Sequence, residues 1–470
     1  MRRSLSFLIP VAVVSASPAL AQSFEQLAPA TQEYVAVRAP VVALTHVLVI
    51  DGTGAPAAQD QTLVIERGKI RSVGPAASAQ VPAGAEVIDG RGKTVIPGLF
   101  GMHDHLFYPA GGAGRVRNHH PYSAPRLYLA AGVTSIRTAG TYEPYNDLNL
   151  REEVRRGASP GPRINATGAY LDAVRGRVNG VEDAKRLVNY WADEGVVGFK
   201  VYTQITRAEL KAAIDESHKR GLKITGHFCS IGYREAVALG IDNIEHGYQV
   251  NTEWYPDKKP DVCPSGNRLS LADLDINGEA VQATIRDMVS HNVALTSTYA
   301  VHECGLPDRP LHRAFLESLS PVTRENFVAS RARGIVDNDP RELRLFKKDQ
   351  EFERAFVKAG GHLMAGLDPT GSGCSLFGFG DQRNMQVMVE AGFTPVEAVK
   401  IMSYNGAVFL GQADSLGSIA PGKNADLVLI NGNLLTSISD IEKVGLVFKD
   451  GVGYDSEKLI ASVRGQVGVN

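Results

Sequence analysis

The pattern of apolar and polar positions divides the chain into three stretches. Between residues 40 and 96, short apolar runs at 41–50, 61–66, 69–73 and 86–89 are separated by turn signals such as Asp51-Gly-Thr-Gly and Arg67-Gly, which reads as consecutive β-strands. Residues 417–432 and 444–451 repeat that texture near the other end. From about 97 to 410 the pattern changes to short apolar strands alternating with helical periodicity, the mark of βα units and a parallel sheet. Eight strands are expected there, at 95–105, 133–137, 163–167, 198–202, 223–227, 243–246, 293–298 and 363–368. Thr206-Arg-Ala-Glu209 and Thr394-Pro-Val-Glu397 have the form of capping boxes that open helices, the second with proline at the first helical position. The expected fold class is α/β: a (β/α)8 TIM-like barrel over 97–410, with a small β-sandwich domain assembled from 40–96 and 411–455.

Composition narrows this reading only at the edges. With 470 residues, 44% of them hydrophobic, the chain can bury a large core. A formal net charge of -2 with no basic stripe excludes nucleic acid as an expected partner. Arg2 and Arg3, an apolar stretch and Ala19-Leu-Ala21 read as a signal peptide over 1–21, giving a periplasmic or secreted protein after cleavage near Ala21. No transmembrane segment is expected in the mature chain, and a homo-oligomer is left open. Cys229, Cys263, Cys304 and Cys374 form no C-x-x-C pair; export permits a disulfide, but free or semi-buried thiols are the expectation for any named pair. The segments 254–270 and 304–344 are longer than ordinary βα connections and stand as candidate lids or substrate loops.

The chemistry is concentrated at strand ends. His103 and His105 are two residues apart on one predicted strand, so they face the same side. Lys200, His227, His246 and Asp368 follow one per strand, each at a C-terminal end, where a barrel carries its active site. Imidazole and carboxylate donors suit zinc or a similar first-row ion. A protonated lysine repels cations, so Lys200 is read as carboxylated: its buried amine adds carbon dioxide and offers two oxygens, one to each of two ions. His103, His105 and Asp368 are assigned to one divalent ion and His227 and His246 to the other. Carboxylated Lys200 and a hydroxide lie between the ions, and that bridging hydroxide attacks the substrate carbonyl. Asp368 is expected to carry the proton from the nucleophile to the leaving nitrogen.

Residues 95–105, Lys200, Gly226-His227, Ile244-Glu-His-Gly247, Ala365-Gly-Leu-Asp368 and residues 417–426 together resemble the amidohydrolase superfamily. The resemblance covers about residues 40–452 and is nearest to the lysine-containing branch of prolidase-like and Xaa-Arg/Lys dipeptidases and ochratoxin-hydrolysing amidases. It implies the barrel, the two-ended β-domain, and the six residues in their roles. It also implies cleavage of a C–N amide bond in a dipeptide, N-acyl amino acid or related small molecule. A lactone, ester or cyclic-amide hydrolase on the same ions is the runner-up, a non-catalytic metal-binding scaffold is a more distant one, and Lys200 argues against a deaminase. Tyr202 and Tyr248, each two residues beyond a ligand, are candidates to donate to the developing oxyanion. Arg115, Arg117, Arg137 and His302 are the candidates to hold substrate, with His119 and His120 in the same basic loop as the first two.

Overall fold

The structure is a computed structural model describing residues 23–110, 116–174, 178–266, 268–337, 339–369 and 375–469. The expected signal peptide, Arg115 and Cys374 lie outside these residues. All eight expected parallel strands are present: β1 (Leu99–Asp104), β2 (Val133–Thr138), β3 (Arg163–Asn165), β4 (Gly198–Val201), β5 (Lys223–Gly226), β6 (Asn243–Glu245), β7 (Ala294–Ser297) and β8 (Leu363–Ala365). They fall into a three-stranded sheet, in the order β3-β2-β1, and a five-stranded sheet running β4 to β8. The single closed barrel is therefore not what the sheet pairing gives. β3 and β8 are only three residues long, and the edges meet through separate backbone bonds instead of a continuous ladder. Val197 N donates to Ala166 O (2.9 Å) and Leu171 N to Lys200 O (3.0 Å) at one junction, and Asp368 N to His103 O (2.9 Å) at the other.

Nor does the strand pairing give the expected two-layer sandwich at the termini. Strands from both ends form one nine-stranded mixed sheet: Val35–Val37, Val452–Asp455, Val444–Lys449, Leu427–Ile430, Thr94–Pro97, Val41–Val49, Ala58–Glu66 and Lys69–Pro75 in order, with Glu86–Asp89 pairing Val41–Val49 off this path. Alternation explains how one sheet serves two cores. Val95, Leu427 and Leu429 join a cluster with Val42, Leu63 and Phe448, while Ile96, Val428 and Ile430 face the main core of the α/β part. The expected strand 95–105 is cut at Gly98, where a side chain would meet Thr134 Oγ1 at 2.1 Å. Thr94–Pro97 stays with the terminal sheet, and the chain crosses at Gly98 to begin β1.

Both capping boxes are present, Thr206 accepting from Glu209 N and Thr394 from Glu397 N. The segment 304–344 carries helices Phe315–Ser318 and Pro321–Val336 and is bonded to the C-terminal residues through Ser320 N to Val467 O. Cys229 and Cys263 form a disulfide, against the expectation of free thiols, and tie the end of the β5 strand run to residues 254–270; Cys304 is disulfide-bonded as well. Among the described residues no helix is long and apolar enough to cross a membrane.

One glycine links the fold to the chemistry. Gly366 follows β8 directly, and a Cβ there would lie 2.1 Å from His103 N. Gly366→Ala should push β8 from β1, lowering stability by about 1–3 kcal/mol and reducing bound metal. Gly74→Ala, where a Cβ meets nothing within 4 Å, should change neither. Thermal unfolding and metal analysis of the two variants test this, and equal behaviour would refute the role given to Gly366.

Candidate metal centre

Strand direction delivers the donors. β1 ends at Asp104, so His103 and His105 project from its C-terminal end, and Asp368 stands three residues beyond β8. Ligand atoms of His103, His105 and Asp368 all lie within 4.8 Å of one another. His105 Nε2 is 3.5 Å and His103 Nε2 3.9 Å from the Asp368 carboxylate, and His246 Nδ1 is 3.8 Å from it. The His246 ring lies 4.3 Å from both the His103 and His227 rings, so the four imidazoles and Asp368 form one cluster. Lys200 is buried beside them, its Nζ 3.9 Å from Glu245 Oε1.

Electrostatics prepares these rings as ligands. Burial, with the Lys200 charge adding to it, lowers His103 to about 4 against the opposing pull of Glu245 and Asp368. Burial also takes His227 and His246 well below the ordinary imidazole value, helped by neighbouring cationic groups. Neutral imidazoles have a lone pair free for a metal. Nδ1 of His105 and of His227 are buried and make no hydrogen bond among the described residues. Clustered neutral rings with unspent nitrogens and a carboxylate between them fit a divalent cation of the zinc type.

Glu245 was missed by reasoning from the sequence. It is fully buried, accepts from His103 Nδ1 (2.8 Å) and from Arg137 NH2 (2.7 Å), and lies near Lys200. Burial opposes its ionisation, but Arg137, Lys200 and His103 hold it well below the usual carboxylate range. An ionised carboxylate can only accept, so His103 carries its proton on Nδ1 and turns Nε2 towards Asp368. The visible signal was an acid inside the apolar run Asn243-Ile-Glu-His246. Asp104 was also passed over: its carboxylate accepts from Leu367 N (3.2 Å), where Gly101 leaves room for it, and burial raises it to about 8. Thr298 Oγ1 lies 3.0 Å from His246 Nδ1 and 3.2 Å from His302 Nε2; one hydroxyl proton serves only one ring, so the other ring must donate to it.

The remaining candidates separate by position. Tyr202 is half-buried with its ring 4.8 Å from the His227 ring, within the cluster. Tyr248 is not: its hydroxyl donates to Leu271 O (2.8 Å) and its ring packs against Trp254 and Phe352. Alternation fails there because β6 stops at Glu245, and His246 and Gly247 take φ values of 72° and 60°. Arg137 is buried and bonded to Glu245, Met102 O and Thr225 Oγ1, so it braces the centre from within. His302 is near, its ring 6.0 Å from that of His246. Arg117 is half-buried over the Tyr142 ring at 5.8 Å, His119 faces Asp147 at 3.3 Å, and His120 is buried against Tyr108 and Phe377. Tyr170, unforeseen, stands between the His105 and Tyr202 rings, and its passage beside Lys200 depends on Gly140, where a Cβ would meet the Tyr170 ring at 2.5 Å.

Parallel strands that carry imidazoles and a carboxylate at their C-terminal ends define an α/β protein with a candidate divalent-metal site. The profile of the amidohydrolase family matches residues 94–452, so the chain belongs to that family and is a hydrolase acting on carbon–nitrogen bonds. It is 23% identical over 406 residues to a dihydroorotase of Pelotomaculum thermopropionicum, covering 80% of this chain and 86% of the other. Its structure is similar to that of a putative prolidase from Bifidobacterium longum, with TM-score 0.65, 25% identity and coverage of 90% and 98%. A Xaa-Pro dipeptidase with bound methionine in the active site shares the fold, with TM-score 0.67, 21% identity and coverage of 88% and 100%.

Glu245→Gln should weaken zinc binding about 10–100-fold, because His103 loses the acceptor that fixes its tautomer. Competition with a chromophoric chelator measures this; unaltered affinity in a folded variant would remove Glu245 as a positioning residue.

Proposed function

We propose that the two parallel sheets together make a TIM-like barrel whose mouth holds two divalent ions, zinc being the favoured identity, and that the enzyme hydrolyses the amide bond of a dipeptide or N-acyl amino acid. The observation that carries this reading is the cluster of buried neutral imidazoles against Asp368, with buried Lys200 alongside. His103, His105 and Asp368 would hold one ion, His227 and His246 the second, and Lys200, once carboxylated, both. Bound there, divalent ions supply a Lewis acid for the scissile carbonyl and an acidified water. Asp368, whose carboxylate faces three of the imidazoles, accepts the proton of the attacking water and returns it to the leaving nitrogen. The Tyr202 hydroxyl donates to the carbonyl oxygen as negative charge builds on it.

The likeness to prolidase and dipeptidase structures supports a small amide with a free carboxylate, and Arg117, over Tyr142, and His302, beside His246, would be the candidates to receive it. The dihydroorotase likeness keeps a cyclic amide as the second reading. We further propose that the enzyme works in the periplasm or outside the cell; the Cys229–Cys263 disulfide supports an oxidising compartment.

The purified protein should contain two ions per chain, and Lys200→Ala should lower both metal content and turnover. Metal-free, folded wild type that still turns over substrate would sink the proposal. Asp368→Asn should keep the fold and reduce kcat by about 10²–10⁴-fold, and unchanged turnover would remove Asp368 as the proton carrier. A screen of dipeptides, N-acyl amino acids, cyclic amides and lactones identifies the bond, and activity on lactones alone would overturn the amide reading.

A further inference from the structure

A cavity of about 590 Å3 lies away from the imidazole cluster, at the seam between the nine-stranded sheet and the α/β part. Arg151, Arg155 and Arg156 reach it from the end of helix Pro144–Arg155, Arg163 from the start of β3, and Lys449 from the end of strand Val444–Lys449. Its cations are unequally committed. The Arg163 fork is filled by Asp426 and Asp450, while Glu152 faces Arg155 at 2.6 Å and Arg156 at 3.8 Å. Among the described residues, five cations meet these three carboxylates at the cavity, so positive charge is in excess there.

Lys449 is the informative member. It is 6% exposed and lines the cavity, and its ammonium makes no hydrogen bond among the described residues. Its ion-pair contact, Asp450 Oδ2, is 3.9 Å away, outside hydrogen-bond reach. The Lys449 stem is buried, but its Nζ is not among the buried side-chain atoms without a partner, so the charge is turned towards the cavity it lines. Arg151 and Arg155 stand one helical turn apart, where like charges repel, although Arg151 also donates to Gly195 O at 2.8 Å. A helix C-terminus favours cations by its dipole, which accounts for arginines there but not for a buried lysine arriving from a separate strand.

We propose that this seam cavity binds a phosphoryl group, with Lys449 as its buried donor and Arg151, Arg155 and Arg156 as its rim. A phosphate near neutral pH carries up to two negative charges and several acceptor oxygens, which matches the charge surplus and the convergent N–H donors. Because Lys449 belongs to the terminal sheet and the arginines to the α/β part, the bound group clamps the two together and stabilises the folded chain.

The test is calorimetric titration and thermal unfolding of the whole mature protein in inorganic phosphate, against sodium chloride of equal ionic strength. The expected result is saturable binding with a Tm rise of about 3 °C, retained in Lys449→Arg and weakened at least ~10-fold in Lys449→Gln. The difference between wild type and Lys449→Gln separates this site from phosphate held at metal ions. No saturable binding of either inorganic phosphate or phosphatidylglycerol vesicles, or equal affinity in a folded Lys449→Gln protein, overturns the proposal. Should that variant not fold, the exposed pair Arg155→Gln/Arg156→Gln decides, with unchanged affinity again overturning it. Vesicles of phosphatidylglycerol, compared with phosphatidylcholine, distinguish the source. Lys449-dependent binding to the former without binding of free phosphate assigns a lipid headgroup, the reverse assigns a soluble phosphate, and neither refutes the site.

Discussion

The buried carboxylate of Glu245 is the constraint on which the centre depends. It stands at the end of β6 and receives Arg137 from β2 and His103 from β1, with Lys200 of β4 close by, so one side chain couples four strands drawn from both parallel sheets. Burying an ion pair of this kind adds little net stability compared with well-packed apolar residues, but removing one partner costs about 3–5 kcal/mol because the other charge is stranded. The arrangement therefore fixes geometry more than it adds stability. With the two sheets joined by separate backbone bonds at their edges, a shared ionic knot inside them holds the imidazoles of one sheet in register with those of the other.

That knot is surrounded by close backbone approaches that only particular residues permit. Gly366 allows β8 to pass against His103, Gly140 allows Tyr170 to lie beside Lys200, and Gly101 makes room for Asp104. Two of the metal candidates also depart from ordinary backbone geometry, His246 with φ 72° and Asp368 with φ 47°. Non-glycine residues in the left-handed region cost about 1–3 kcal/mol and persist where surrounding contacts overdetermine them. Here Thr298 and the neighbouring rings fix His246, and the His103 carbonyl accepts the Asp368 N–H, so both side chains are directed before any ligand arrives.

These features explain what the sequence could and could not disclose. The eight strands, both capping boxes and the ligand candidates are legible because a period of two and a strand-end position are local properties. The cut at Gly98 is not local: it depends on Thr134, thirty-six residues on. Tyr248 misleads for a related reason, since alternation assumes an extended chain and the backbone turns left-handed at His246. For Arg137 a strand-end position suits either a substrate group or a brace for an acidic neighbour, and the choice depends on Glu245, 108 positions away. Glu245 sits within Ile244-Glu-His-Gly247, and an acid in an apolar strand calls for a buried cation that its neighbours in sequence do not supply. The Cys229–Cys263 pair illustrates the limit of spacing alone, for nothing local distinguishes it from other pairings.

The division between the two kinds of residue has a consequence for specificity. The groups that prepare the metal site, Glu245, Arg137, Asp104 and Thr298, are buried and bonded to other strands or to ligands, so altering them disturbs the centre itself. Tyr202 and Tyr170 instead lie on connections beyond the parallel strands and face the His227 and His105 rings, with Tyr142 against Tyr170 and Arg117 over Tyr142. Such connections tolerate change because the strands, not the loops, hold the chemistry in place. The ionic knot fixes the donor side chains from within, so the residues on the connections can vary without loosening it.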